Sequence, residues 1–563
     1  SSKSELSNIV KQGLDQIIHR GPDGSNIWVN DSANIGFGHV RLAIVDIESG
    51  AQPMTLDDGT TIAFNGEIYN YIELQKELGV DNFKTSSDTE VILHAYKRWG
   101  HDCVNHLRGM FAFVIWDAQK KQTFFARDRF GIKPLYMMNF INGDIYIGSE
   151  VKAFLPFLKR KEMDEASLSD YFSFQFILGE NSLLKNVRQI MPAHKGWIDS
   201  NNKIKISKYW DVQYDLDYGH SEEYFVDKIK YLIEDSARLH MRADVEVGAY
   251  VSGGLDSSLL AQIGSTLRSD DKVSFKTFNG KFNEGVKFDE SKYARDLANE
   301  NSMDLHVTNI SEQDFVDSIS KVIYHLDTPV AGPGSFPQYM VSRDASKKLK
   351  VVFGGQGGDE IFGGYTRYLI AYFEKCIQGG IEGTLDNGNF IVSYESILPN
   401  LTALNPYKPL IKEFWSEGLF DTNDKRYFRL INRSNTIQPI LNSEAIDYEN
   451  SFSKFQNIFL SNNVGKESYF DQMTHFDFKT LLPSLLQVED RMSMAHGLES
   501  RVPFLDHPLV EFAATIPANI KFKNGELKRL LKNTFSDRIP HSIQNRKDKM
   551  GFPVPLNKWL KNG

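Results

Sequence analysis

Ser252-Gly253-Gly254-Leu255-Asp256-Ser257-Ser258 has the composition of a phosphate cradle. Glycines let the backbone approach a ligand closely, and the N–H groups of a helix start add the positive end of its dipole. No lysine follows, so this is not the Gly-x-x-x-x-Gly-Lys-Ser/Thr loop that grips a β- or γ-phosphate. A second glycine run, Phe353-Gly354-Gly355-Gln356-Gly357-Gly358-Asp359-Glu360, carries adjacent carboxylates. A hard cation set against phosphate needs carboxylate oxygens, which makes Asp256 and Asp359 the candidate metal ligands. A glycine run can also be a plain surface loop; its recurrence after a second strand argues against that here. Glu499 and Arg501 are open between a structural ion pair and contact with an acceptor substrate. The stretch from Arg546 through Lys549 to Phe552 offers cations for a negatively charged transition state, or else a solvated basic face.

Each glycine turn needs a strand before it and a helix after it. Residues 245–251 read as a buried strand, 259–264 as the first turns of a helix, and 350–353 as another strand. Around them, helical patterns at 223–242, 290–300, 312–324 and 338–348 alternate with strands at 273–278 and 305–307. That alternation predicts an open, mostly parallel sheet with helices on both faces, where ligands bind at the carboxyl ends of strands. Beyond about residue 365 the text is helix-rich.

Residues 1–210 read differently. Short, continuously apolar runs at 62–64, 111–116 and 123–126 predict strands covered on both faces. Helical patterns at 72–78 and 89–99 predict helices packed outside them, hence a layered α+β domain. The polar stretch 211–222 is the expected linker, leaving 223–563 as the second domain.

Length and composition agree with two domains. The chain has 563 residues, 41% hydrophobic and 24% charged, as in an ordinary globular protein. A net charge of -9 gives no electrostatic footprint for nucleic acid. No apolar run approaches the roughly 18 residues that span a bilayer. Two cysteines, Cys103 and Cys376, form neither a disulfide scaffold nor a CxxC metal pair. The expectation is a cytoplasmic enzyme.

The first loop resembles the pyrophosphate loop of ATP pyrophosphatases. Together with residues 490–506 and 549–553, both loops resemble glutamine-hydrolysing asparagine synthetases. The first domain carries the resemblance independently, through His19-Arg20-Gly21-Pro22-Asp23-Gly24, Arg41-Leu42-Ala43-Ile44-Val45-Asp46, Asn65-Gly66-Glu67-Ile68-Tyr69-Asn70, Ser87-Asp88-Thr89-Glu90 and Arg127-Asp128-Arg129-Phe130-Gly131. The likeness covers nearly the whole chain. It implies an α/β/β/α Ntn-type glutaminase sandwich followed by an α/β parallel-sheet ATP-pyrophosphatase domain with helical additions. Arg41 would hold the glutamine carboxylate, with Ile44 and Val45 beside it. Asn65 and Gly66 would form the oxyanion hole, and Glu67 and Asp88 would fix the α-amino group. ATP would lie against Val251, Ser252, Gly253, Gly254, Asp256, Ser257, Ser258, Phe278, Gly354 and Gly355, with Mg2+ on Asp256 and Asp359. Lys549 would join the catalytic set. Ammonia from L-glutamine would pass internally to an acyl-adenylate of L-aspartate, giving asparagine, AMP and pyrophosphate.

Two departures qualify this expectation. The family's nucleophile is an N-terminal cysteine, whereas the sequence opens on Ser1, and neither Cys103 nor Cys376 suits the role. The expectation is that the extreme N-terminus is missing, and the C-terminus too. Gln356 stands where the family usually has an acidic residue implicated in handling ammonia, and a neutral amide cannot act as a base. Another group must then take the proton, or the acceptor is another carboxylate, such as a uronate sugar of surface-polysaccharide assembly. A scaffold without catalysis is the alternative of another class. The oligomeric state, a homodimer being one option, stays open.

Overall fold

The computed structural model describes residues 2–140, 142–268, 273–330, 332–383, 404–437, 447–465, 468–546 and 554–562. The first domain is built on a six-stranded antiparallel sheet. It takes β3 (Met54–Thr55), β4 (Thr61–Ile68), β5 (Gly109–Asp117), β6 (Gln122–Arg127), β10 (His194–Ile198) and β11 (Ile204–Lys208), in the order β11-β10-β6-β5-β4-β3. A three-stranded sheet, β8-β7-β9, uses β7 (Tyr136–Asn139), β8 (Ile145–Gly148) and β9 (Val187–Gln189). A two-stranded one pairs β1 (Gly24–Val29) with β2 (Gly36–Arg41).

Apolar residues on both faces of the central strands explain the layering. Phe111, Phe113 and Phe124 pack with Val91 and Leu93 of the helix Asp88–Trp99. On the other face, Ala112 and Phe125 meet Leu135 and Met137 of the smaller sheet. The helix Lys3–Asp15 packs on β1, β2 and the Val151–Phe157 turn, where its Leu14 meets Ala153. Helix, sheet, sheet and helix follow one another, and the continuous apolar runs are continuous because both faces of β5 are largely covered.

The second domain carries a five-stranded parallel sheet in the order β14-β13-β12-β15-β16: β12 (Val247–Tyr250), β13 (Lys276–Phe282), β14 (Asp304–Ile310), β15 (Val351–Phe353) and β16 (Glu499–Arg501). The helices Glu222–His240, Leu255–Leu267 and Ser335–Ala345 are among those that flank it.

Local expectations shift in three places. The helix after the first loop starts at Leu255, so Asp256, Ser257 and Ser258 belong to its first turn. β13 runs on to Phe282 because pairing with β14 in register satisfies the backbone of polar Asn279 to Lys281. β16 was not anticipated, since Glu-Ser-Arg has no apolar pattern and becomes a strand only by pairing with β15. The 211–222 stretch is irregular up to Ser221 but not loose: Val212 is buried, and Asn463 Nδ2 donates to its carbonyl at 2.7 Å.

Charged side chains seal the two domains together. Arg20, 4% exposed, meets Glu150 at 2.7 Å and Asp490 of the second domain at 2.8 Å. Arg108 Nε donates to Asp506 at 2.8 Å, and Arg242 pairs with Glu73 at 2.6 Å. Asp23 holds the N–H of Ala43 at 2.8 Å and Lys350 at 2.8 Å, tying the 41–45 segment to β15.

Candidate active sites

In the first domain, Arg41, Ile44, Val45, Asn65, Gly66, Glu67 and Asp88 all line one cavity of about 100 Å³. β2 ends on Arg41, whose guanidinium donates to the Ile47 carbonyl at 2.9 Å and the Asp46 carbonyl at 2.6 Å. These bonds fix the plane of its fork, the geometry that suits a carboxylate. Asn65 and Gly66 sit on β4, and Asn65 Nδ2 is buried with no protein partner. Gly66 has φ +144, and a Cβ there would stand 2.0 Å from the Met110 carbonyl, so only glycine fits. Gln52 Oε1 accepts the Phe64 N–H at 2.7 Å, and His39 Nε2 lies 2.9 Å from the Phe64 carbonyl. Both residues anchor the strand just before Asn65, and sequence reasoning missed them. Burial holds the His39 imidazole down to about 4, hence neutral at pH 7.

Glu67 and Asp88 supply negative charge. Asp88 accepts the Ile68 N–H at 2.9 Å at the start of its helix, and burial pushes its carboxyl up to about 7. Burial, then the nearby Glu499 carboxylate, pushes Glu67 well above its ordinary range, against the pull of Arg501. Met494 and Glu499 of the second domain complete the cavity wall.

Glu499 and Arg501 therefore belong to the domain junction. Arg501 Nε donates to Glu499 at 2.8 Å, Nη1 donates to the His240 carbonyl at 2.6 Å, and Nη2 stands 3.2 Å from Glu67. These contacts realise the ion pair, with Glu499 in the wall of the first domain's cavity. Cys103 and Cys376 are core residues, and burial pushes their thiols up to about 12 and about 11. Neither has the thiolate character of a nucleophile. Ser1 lies outside the described residues.

In the second domain the two glycine turns follow β12 and β15, adjacent parallel strands. Ser252 N donates to Ser257 Oγ at 3.1 Å, and the two hydroxyls lie 3.0 Å apart, folding the loop over the helix start. Gly253 takes φ +73, which L side chains rarely adopt. Val251 and Phe278 are buried, with the Val251 N–H donating to the Phe278 carbonyl at 2.8 Å, so they form the floor of the loop. The turns touch: a Cβ on Gly355 would lie 3.1 Å from Ser257 N, and one on Gly358 would lie 2.6 Å from Asp256 Oδ1.

Lys528, which sequence reasoning missed, joins the turns. Its ammonium pairs with Asp256 Oδ2 and, at 2.5 Å, with Asp359 Oδ1. Burial alone would lower its pKa, but the two carboxylates outweigh it and raise the value. Arg546 Nη1 donates to the Gly253 carbonyl at 3.0 Å, and its guanidinium lies 4.1 Å over the Tyr293 ring. Lys549 falls outside the described residues. Gln356 Nε2 donates to Glu489 Oε2 at 3.4 Å. Neither Lys528 nor Glu489 carries a local signal, since each meets its loop more than 100 residues away in sequence.

Family models match along both domains: the asparagine synthase model over residues 228–563 and the glutamine amidotransferase domain over residues 1–210. The chain belongs to the asparagine synthase family. It is 33% identical over 574 residues to asparagine synthetase [glutamine-hydrolyzing] 1 of Bacillus subtilis, covering 99% of this chain and 86% of that protein. A putative asparagine synthetase [glutamine-hydrolyzing] 2 of Methanocaldococcus jannaschii is 37% identical, covering 66% of this chain and 74% of that one. Amidase chry2 of Gibberella zeae is 28% identical, covering 98% and 85%. As an asparagine synthase family member, the protein is a glutamine-dependent ligase with an Ntn-type glutaminase sandwich ahead of its synthetase domain, and the family uses ATP as substrate. No helix among the described residues is long and apolar enough to cross a membrane.

Proposed function

We propose that the protein uses ammonia from L-glutamine to amidate L-aspartate, activated by ATP as an acyl-adenylate. The observation that carries this reading is the convergence of Asp256 and Asp359 on one point between two glycine turns. Asp256 Oδ1 is buried without a protein partner. Two carboxylates that leave phosphate oxygens and water to complete an octahedron suit Mg2+, and among the described residues no three-ligand cluster competes. When bound there, Mg2+ would neutralise the charge of departing pyrophosphate. Ser252 to Ser258 would cradle the phosphates, and Lys528 would hold the two carboxylates apart from each other's charge. Lys549 would join the transition-state cations.

In the first domain, Asn65 Nδ2 and the Gly66 N–H would meet the oxyanion of glutamine hydrolysis, Arg41 its carboxylate, and Glu67 and Asp88 its ammonium. Met494 lines this cavity, and Glu489, five residues earlier on the helix Leu481–Met494, touches Gln356. At 1.5 Å per residue the two positions are about 7.5 Å apart along the axis, so that helix would flank a short protected route for ammonia. Gln356 favours a second acceptor reading, a uronate sugar, because the loop lacks the family's acidic residue.

Incubation with ATP, Mg2+, ammonia and either acceptor decides between them. Aspartate-dependent release of pyrophosphate with formation of asparagine is the expected result. Release with a uronate alone transfers the reading to that acceptor. Failure to bind ATP in millimolar Mg2+ would favour a scaffold.

A further inference from the structure

Arg501 belongs to the second domain, yet one edge of its fully buried guanidinium serves the first. Nε donates to Glu499 at 2.8 Å, and Nη1 donates to the carbonyls of His240 at 2.6 Å and Arg242 at 2.7 Å. One face of the group lies 5.4 Å from the centre of the Tyr69 ring. Nη2 makes no hydrogen bond among the described residues, and it stands 3.2 Å from Glu67 Oε2. The backbone cannot draw the side chain back. β16 pairs Arg501 with Phe353, and the Arg501 carbonyl accepts the Gly354 N–H at 2.7 Å.

Glu67 lines the cavity of the first domain with Asp88 and Glu499, whereas Arg501 reaches Glu67 from behind that wall. The charges that act most strongly on Glu67 are Glu499 and Asp88 against Arg501 and Lys133. Lys133 is itself divided, at 3.5 Å from Glu499 and 4.0 Å from Asp490. Two further cations line the cavity and are held elsewhere. Arg20 is held by Glu150 and Asp490, and Arg41 by the carbonyls of Ile47 and Asp46. Three carboxylates therefore face two nearby cations, a surplus that an arriving ammonium offsets. Burial and the Glu499 charge push Glu67 up, and Arg501 is the strongest influence pulling it back. Without that cation the carboxylate would keep its proton to higher pH and offer an ammonium less charge.

We propose that Arg501 is a positioning residue of the glutaminase, through which the second domain aims Glu67 at the substrate's α-ammonium and keeps it ionisable. The proposal rests on the reading of Glu67 and Asp88 as the ammonium site. Arg501 touches no substrate atom; it acts through Glu67 alone. The glutamine site is then completed by a side chain more than 400 residues away in sequence.

Calorimetric titration of the full chain between pH 6 and 8 tests this, with two probes. One is L-glutamine, and the other is 4-carbamoylbutanoate, which is glutamine without its α-amino group. The parent should prefer L-glutamine. Arg501→Met should weaken L-glutamine about 10–100-fold at pH 7, because losing an adjacent opposite charge raises a carboxyl by about 1–3 units. The des-amino probe should stay within a few-fold of the parent, and the rise of L-glutamine affinity with pH should move upward. An equal loss of both probes at every pH marks a merely structural residue, and it overturns the assignment, as does no loss. Should Arg501→Met fail to fold, Arg501→Lys decides, since it keeps the charge but not the fork that aims it. A loss confined to L-glutamine supports the assignment, and no loss or an equal loss of both probes refutes it. A parent chain that binds the two probes alike, or neither, sinks the ammonium reading itself.

Discussion

Asp88 shows how one residue's environment sets a measurable property. Its folded pKa of about 7 lies above an unfolded value near 3.9, so the folded chain holds a proton that the unfolded chain has released. Between about pH 4 and 7 that residue therefore costs stability as pH rises. An arriving ammonium needs the ionised form. Glutamine affinity should thus weaken below pH 7, by up to about tenfold per unit, and Asp88→Asn should flatten the profile. Calorimetric titration between pH 6 and 8 checks this; a flat profile in the parent chain removes Asp88 from the ammonium site. Asp88, Asn65 and Arg41 were legible because each sits in a short contiguous motif. Lys528 and Glu489 were not, because what defines them is a contact with a distant loop.

Among the elements, the strand-turn-helix unit of Ser252 carries the most demand on its backbone. Gly253 at φ +73 would place a Cβ 2.9 Å from Tyr293 Cβ. Gly253→Ala should therefore cost about 1–2 kcal/mol of left-handed strain, before any clash. If the loop cradles phosphate, that strain appears as weaker ATP binding, about tenfold, with the fold otherwise retained. Equilibrium binding of ATP in Mg2+ reads it, and an unchanged Kd would separate the loop from the nucleotide. The unit was readable as strand, glycine turn and helix from local pattern. β16 was not, because a polar Glu-Ser-Arg segment becomes a strand only when β15 offers it a partner.

At the scale of the molecule, the domains are joined by buried charge. Arg20→Ala would leave Glu150 and Asp490 short of their shared cation, a loss of about 3–5 kcal/mol for a broken buried pair. Differential scanning calorimetry should then show the domains melting apart; a single unchanged transition would deny the junction that role. The same contact predicts an acid limb. Arg20 and Arg491, working against burial, hold Asp490 down to about 2. Its stabilisation is fully present above the unfolded value near 3.9 and is lost as pH falls through that value toward 2.

The sequence by itself determined the family, the two chemistries and the position of each motif, because glycine turns, hydroxyls and carboxylates announce themselves in contiguous runs. The tertiary structure alone decided that Glu499 lines the first domain's cavity with Arg501 paired to Glu67 behind it, that Lys528 joins the two aspartates, and that Glu489 touches Gln356. The physical reason is common to all three. A side chain's chemistry is fixed by its type, but its partner is fixed by packing between segments hundreds of residues apart, which leave no periodic trace in the chain. The Ser252 loop was therefore recognisable as a string, whereas the contact of Glu489 with the second glycine turn became visible only once a helix had been laid against it.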